Sequence, residues 1–154
     1  MKISIIGSGS WGIALAKIAS ENSDVKILAR RQDVADEISN HKSYKELFPG
    51  IDLNFSATTS VKDIQDFSET VLIVIPMKYM KSYCLELKKE GLNPKNIISA
   101  AKGFDKDEFK TATQIISQIW PEAKTASLSG PSHAESLVQK AFTSVMIASA
   151  DNEL

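Results

Sequence analysis

Cysteine occurs once in the 154 residues, at Cys84, which excludes an intrachain disulfide and a cysteine-based metal cluster. His41 and His133 are the only histidines, too few for a zinc centre of ordinary ligand sets, and no metal is expected. Neither sign of charge dominates. Against 19 acidic side chains stand 18 basic ones, a formal net charge of -1, so the basic surplus that grips nucleic acid is missing. No apolar run approaches the roughly 20 residues of a membrane span, and the one at Ile3–Ile6 is too short for a signal segment. These absences together predict a reducing, cytoplasmic setting without membrane insertion. Repeats, low-complexity tracts and Pro/Gly/Ser linkers are also lacking, so residues 1–154 read as one domain with a sizeable core.

What is present is an alternation. Short apolar runs near Ile3–Ile6, Val25–Ala29, Leu53–Ser56, Val71–Ile75, Asn96–Ala100, Thr125–Leu128 and Ser144–Ala148 predict strands. Several are continuous and β-branched, as central strands covered on both faces must be. Trp11, Ala14, Leu15 and Ile18 keep helical spacing between the first two. Val34, Ile38 and His41 mark a second helix, Met80, Tyr83, Cys84 and Leu87 a third, and Phe109–Ile119 a fourth that Pro121 stops. This order predicts an α/β fold of Rossmann type, a doubly wound, mostly parallel sheet with helices on both faces. Ser149 followed by two acids reads as a helix start, and a helix begun at the last residues suggests a truncated chain.

Gly7, Gly9 and Gly12 form a G-x-G-x-x-G between the first strand and the first helix. Gly7 serves the tight turn, Gly9 lets a pyrophosphate approach the backbone, and Gly12 lets helix and strand pack closely. Amides at the helix start, aided by its dipole, suit phosphates, and Ser10 is placed to cap that helix and offer a hydroxyl. At the end of the second strand, where an acid would take the ribose 2′-hydroxyl of NAD, stand Arg30 and Arg31 instead. Their planar forks match a 2′-phosphate, which favours NADPH, with NADH the alternative.

Two more clusters fall at carboxyl ends of later strands, where open α/β sheets bind ligands. Lys102 offers a cation for a phosphate or a carbonyl. In Ser129-Gly130-Pro131-Ser132-His133-Ala134-Glu135, Ser132 and Glu135 have the spacing of a capping box. Ser132 and His133 are adjacent rather than opposed and lack the G-x-S-x-G context, so a hydrolase is disfavoured.

Taken together, Gly7–Ala16, Ala29–Arg31, Phe48-Pro49, Val74–Pro76, Ala101–Gly103 and Leu128–Ala134 resemble the bacterial-type NAD(P)-dependent glycerol-3-phosphate dehydrogenases, in family order. The resemblance implies cofactor contacts from Ser10, Trp11, Arg30, Arg31, Lys102 and Ala134. It implies that Lys102, Gly130 and Ser132 hold a small phosphorylated substrate, dihydroxyacetone phosphate or sn-glycerol 3-phosphate, in hydride transfer serving phospholipid synthesis. It places the acid/base lysine in a second, helical domain that these residues do not include, so no catalytic residue is expected in this chain and little or no turnover from it alone. A homodimer of the full-length enzyme is compatible with it. Two other readings stay open: a non-catalytic NAD(P)-binding or redox-sensing module, and a dehydrogenase for another 2-hydroxy or 2-keto acid.

Overall fold

In a computed structural model describing residues 1–151, seven strands form one sheet. They are β1 (Lys2–Ile6), β2 (Asp24–Leu28), β3 (Ser56–Thr58), β4 (Thr70–Ile73), β5 (Asn96–Ser99), β6 (Lys124–Ser129) and β7 (Met146–Ser149). The helices are α1 (Ser10–Ala19), α2 (Gln32–His41), α3 (Val61–Phe67), α4 (Met77–Lys89), α5 (Ala112–Ile119) and α6 (Ala134–Val138).

The spatial order is β3-β2-β1-β4-β5-β6-β7, with every pairing parallel except β6–β7. The chain winds outward from β1 through β3 and then crosses back to place β4 beside β1. The loops leaving β1 and β4 therefore run apart and open a crevice between them, the switch point at which such sheets bind ligands.

Alternation along the strands supplies both faces of the core. Ile5, Ile27 and Leu72 pack with α1, α2 and α6 on one face. Ile6, Leu28, Ile73 and Ile97 pack with the helices α3, α4 and α5 on the other. Ile5, Ile6 and Ile27 are fully buried, and burial of a side chain of this size contributes about 1.5–3 kcal/mol.

Several expectations shift. The third strand was expected at Leu53–Ser56 but forms at Ser56–Thr58, because Leu53 and Phe55 are buried from a loop and plug the core beside α2. The helix α3 has no counterpart in the periodicity reading: its seven residues bury only Val61 and Ile64, and Ser60 caps it by accepting from the Asp63 amide at 3.1 Å. The fourth expected helix starts three residues late, at Ala112, because Thr111 and Gln114 make a capping box. Phe109 lies outside it with φ 51 and 80% exposure. The last strand runs Met146–Ser149 and is antiparallel. Ser149 closes that strand, donating to the Thr125 carbonyl at 2.9 Å and accepting from the Asp151 amide at 3.0 Å. Of the helix start expected over 149–154, Ser149 belongs to β7 instead of capping a helix, and residues 152–154 lie outside the described residues.

Candidate functional site

The crevice is built first from the turn joining β1 to α1. Gly7 has φ +117, and a Cβ there would stand 2.3 Å from the Val74 carbonyl oxygen. A Cβ at Gly12 would stand 2.0 Å from the Gly7 carbonyl oxygen. Both glycines are needed by the fold itself, since they let helix, loop and β4 exit pack at backbone distance. Gly9 differs: nothing lies within 4 Å of a Cβ built on it. It is the N-cap of α1, in extended conformation, and no acidic residue enters the first turn. The amides of that turn have no intrahelical acceptor and face open space with the positive end of the dipole behind them. Ser10 is the first helical residue and makes no capping hydrogen bond, contrary to the expectation that it would cap α1.

Two clefts flank this turn and share Gly9 and Val74–Pro76 in their walls. The larger, about 520 Å³, receives Arg30, Arg31, Tyr44, Tyr79 and Tyr83. Arg31 is the N-cap of α2, and its guanidinium grips Asp33 through two hydrogen bonds, at 3.1 and 2.6 Å. Its remaining nitrogen reaches Glu46 at 3.4 Å. That grip holds the Asp33 carboxyl below the usual range and raises the guanidinium further. Burial pushes the hydroxyls of Tyr44 and Tyr83 up, so both stay neutral. The sequence reading missed the three tyrosines. Tyr83 counted only as part of an apolar helix stripe, and Tyr44 sits in the least regular segment of the chain.

The smaller cleft, about 410 Å³, is lined by Trp11, Lys102, Ser132 and Ala134 among others. Lys102 Nζ donates to the Ser132 carbonyl at 3.1 Å and stands 5.4 Å from the centroid of the Trp11 ring. Three segments far apart in the chain, at 11, 102 and 132, thus meet at one cation. Ser132 does not make the expected capping box. His133 is the N-cap of α6, without a side-chain cap. Ser132 is only 4% exposed, and its hydroxyl has no hydrogen-bond partner among the described residues. Trp11 Nε1 is likewise buried and unpartnered among them. Two orphaned polar atoms in one cleft are unusual, because each costs about 1–3 kcal/mol until something bonds it.

Gly130 lines neither cleft. A Cβ on it would meet the Ser144 carbonyl oxygen at 2.5 Å, so it admits the strand-leading segment 144–145 against the turn. Ala134 is buried and packs in the core cluster that holds α1.

The site fits a dinucleotide on its own geometry. It offers a cradle that a side chain on Gly9 would fill, free helix-start amides at its centre, an arginine-bearing cleft on one side and unsatisfied polar atoms on the other.

Comparison with known proteins agrees. A Staphylococcus aureus (strain JH9) glycerol-3-phosphate dehydrogenase [NAD(P)+] is 35% identical over 159 residues, covering 99% of this chain and 48% of that protein. One from Aster yellows witches'-broom phytoplasma is 31% identical over 155 residues, covering 98% and 45%. This chain therefore spans about half the length of such relatives. The glycerol-3-phosphate dehydrogenase structure from Coxiella burnetii shares the fold with a TM-score of 0.88 at 24% identity, over 99% of this chain and 47% of the other. That from Plasmodium falciparum gives 0.89 at 23%, with the same coverage. Residues 2–154 match the family described as NAD-dependent glycerol-3-phosphate dehydrogenase N-terminus, and the chain belongs to that family.

Proposed function

We propose that this chain holds a nicotinamide dinucleotide across both clefts, with the pyrophosphate over Gly9 and the first turn of α1. Arg30 and Arg31 take the adenosine end, and Ser10, Trp11 and Ala134 take the nicotinamide side. The two arginines favour NADPH, with NADH accepted. The observation that carries this reading is the placement of Lys102 between the Ser132 carbonyl and the Trp11 ring, beside an open Gly9.

The substrate is a three-carbon phosphate, dihydroxyacetone phosphate or sn-glycerol 3-phosphate. Lys102 and the Ser132 hydroxyl bind it, and Gly130 shapes the turn they share. When bound, the cofactor supplies or accepts the hydride. Lys102, held near Ser132, places a positive charge where negative charge develops on the reacting oxygen. Ser132, already desolvated, donates or accepts one bond without reorganising, and the Trp11 ring stands beside the cation at 5.4 Å. The proton for that oxygen comes from a lysine of a second, helical domain in the longer protein, so these residues alone bind but turn over little.

Trp11 fluorescence tests this. Trp120 is buried beneath α4 and α5 and provides a constant background. Adding NADPH or NADH should quench Trp11, and dihydroxyacetone phosphate should tighten cofactor binding. Quenching without any substrate effect would favour a cofactor-sensing module over a dehydrogenase half. No quenching by either cofactor would end the reading.

A further inference from the structure

One guanidinium of the adenosine cleft is already engaged. Arg31 holds Asp33 through Nε at 3.1 Å and Nη2 at 2.6 Å, and Glu46 through Nη1 at 3.4 Å. Arg30 beside it has no hydrogen bond or ion pair with any described residue. The exposures of Arg31, Asp33 and Glu46 are 57, 66 and 61%, so water screens these pairs and each exchanges readily. Their charges still count. Arg31 with its two carboxylates carries a net charge of one negative, and Arg30 brings the cluster only to neutral. A phosphate monoester carries roughly 1.5 to 2 negative charges near neutral pH, whereas a ribose hydroxyl carries none.

We infer that Asp33 and Glu46 compete with a 2′-phosphate for Arg31 and thereby set how far NADPH is preferred over NADH. Arg30 is the cation that a 2′-phosphate meets first, and Arg31 joins only by exchanging its carboxylate partners for phosphate oxygens. Two arginines after the second strand therefore confer less selectivity than their number suggests. The inference rests on the dinucleotide reading proposed above.

The test uses Asp33→Asn, Glu46→Gln and the double variant, titrated with NADPH, NADH, adenosine 2′,5′-bisphosphate and 5′-AMP. The two half-cofactors keep the nicotinamide side out of the comparison. Each single variant should bind NADPH and the bisphosphate about three- to tenfold more tightly, and the double variant more tightly still, with NADH and 5′-AMP within about twofold of the unsubstituted chain. The gain should shrink between about 0.02 M and about 0.3 M salt, as screening predicts, and Arg31→Ala should erase it. If Asp33→Asn weakens NADH while leaving NADPH unchanged, Asp33 is a ribose ligand and the inference is wrong. Unchanged binding of all four ligands in both single variants would also overturn it. Failure of the unsubstituted chain to bind either NADPH or NADH would instead strike the dinucleotide reading, and the inference would fall with it.

Discussion

Gly9 and Gly12 belong to one motif and look interchangeable in sequence, but alanine should affect them in opposite ways. At Gly12 the new Cβ would lie 2.0 Å from the Gly7 carbonyl oxygen and 3.1 Å from its carbon, both backbone atoms that cannot rotate away. Overpacking costs about 1–3 kcal/mol where side chains can yield, and a backbone clash belongs at the top of that range or above. For a domain of this size that is a fall of roughly 6–10 °C in Tm. At Gly9 the Cβ meets nothing within 4 Å, and φ -74 is open to any residue. Alanine there loses a few tenths of a kcal/mol or more as an N-cap and gains about 0.4–1 kcal/mol by restricting the unfolded chain. The two effects nearly cancel, leaving Tm within about 2 °C. The same methyl occupies the space assigned to the pyrophosphate, so NADH affinity should drop at least about tenfold, or 1.4 kcal/mol. Differential scanning fluorimetry gives the first quantity and fluorescence titration the second. If Gly9→Ala still binds NADH normally, or melts as early as Gly12→Ala, the division between a structural and a ligand-facing glycine is wrong.

Other consequences are equally open to measurement. Ser132→Ala removes a buried hydroxyl without a partner; it should raise Tm by about 2–4 °C, for roughly 1 kcal/mol, while abolishing the effect of dihydroxyacetone phosphate on cofactor binding. A lowered Tm would show that the hydroxyl is satisfied in the folded state. Trp120→Phe deletes the buried bond from Nε1 to the Leu92 carbonyl at 2.9 Å; urea denaturation should report a loss of about 2–3 kcal/mol, and a loss under about 0.5 kcal/mol would contradict the assignment. Burial pushes the Cys84 thiol from 9.0 up to about 12. The unfolded chain ionises its thiol first, so this contribution to stability is complete below pH 9 and drains away as pH rises toward 12. Between about pH 8.5 and about pH 11 the urea midpoint should therefore fall more steeply for the natural chain than for Cys84→Ala, and parallel slopes would refute it.

Local chemistry was readable in the residues, and relations across the fold were not. The β1–loop–α1 unit follows from the glycine motif itself, so the sequence alone located the tight turn at Gly7–Gly12 that walls both clefts. Strand alternation placed the central strands within a residue or two, because Ile5 and Ile6 must face opposite layers. Leu53 and Phe55 imitated a strand, since the spacing that fills a sheet also fills a core from a loop. The short α3 presents too few apolar residues for a helical period to register. Ser132 and Glu135 had the spacing of a cap, yet the hydroxyl turned inward and His133 took the capping position. The sequence placed Arg31 at the end of the second strand, where it lines the larger cleft, but its tie to Glu46, 15 residues away, exists only once the irregular segment after α2 folds back.

The near-collision at Gly130 has a mechanical meaning. With room for only a hydrogen between that residue and the Ser144 carbonyl, no slack separates the turn from the segment that feeds β7. The ladder from Ala126↔Ser149 to Ser129↔Met146 clamps the far side of the same segment. The margin of the sheet and the turn that leads to Ser132 are thereby packed backbone to backbone. A side chain at position 130 would have to part the turn from that segment, two residues before the Ser132 carbonyl that Lys102 grips.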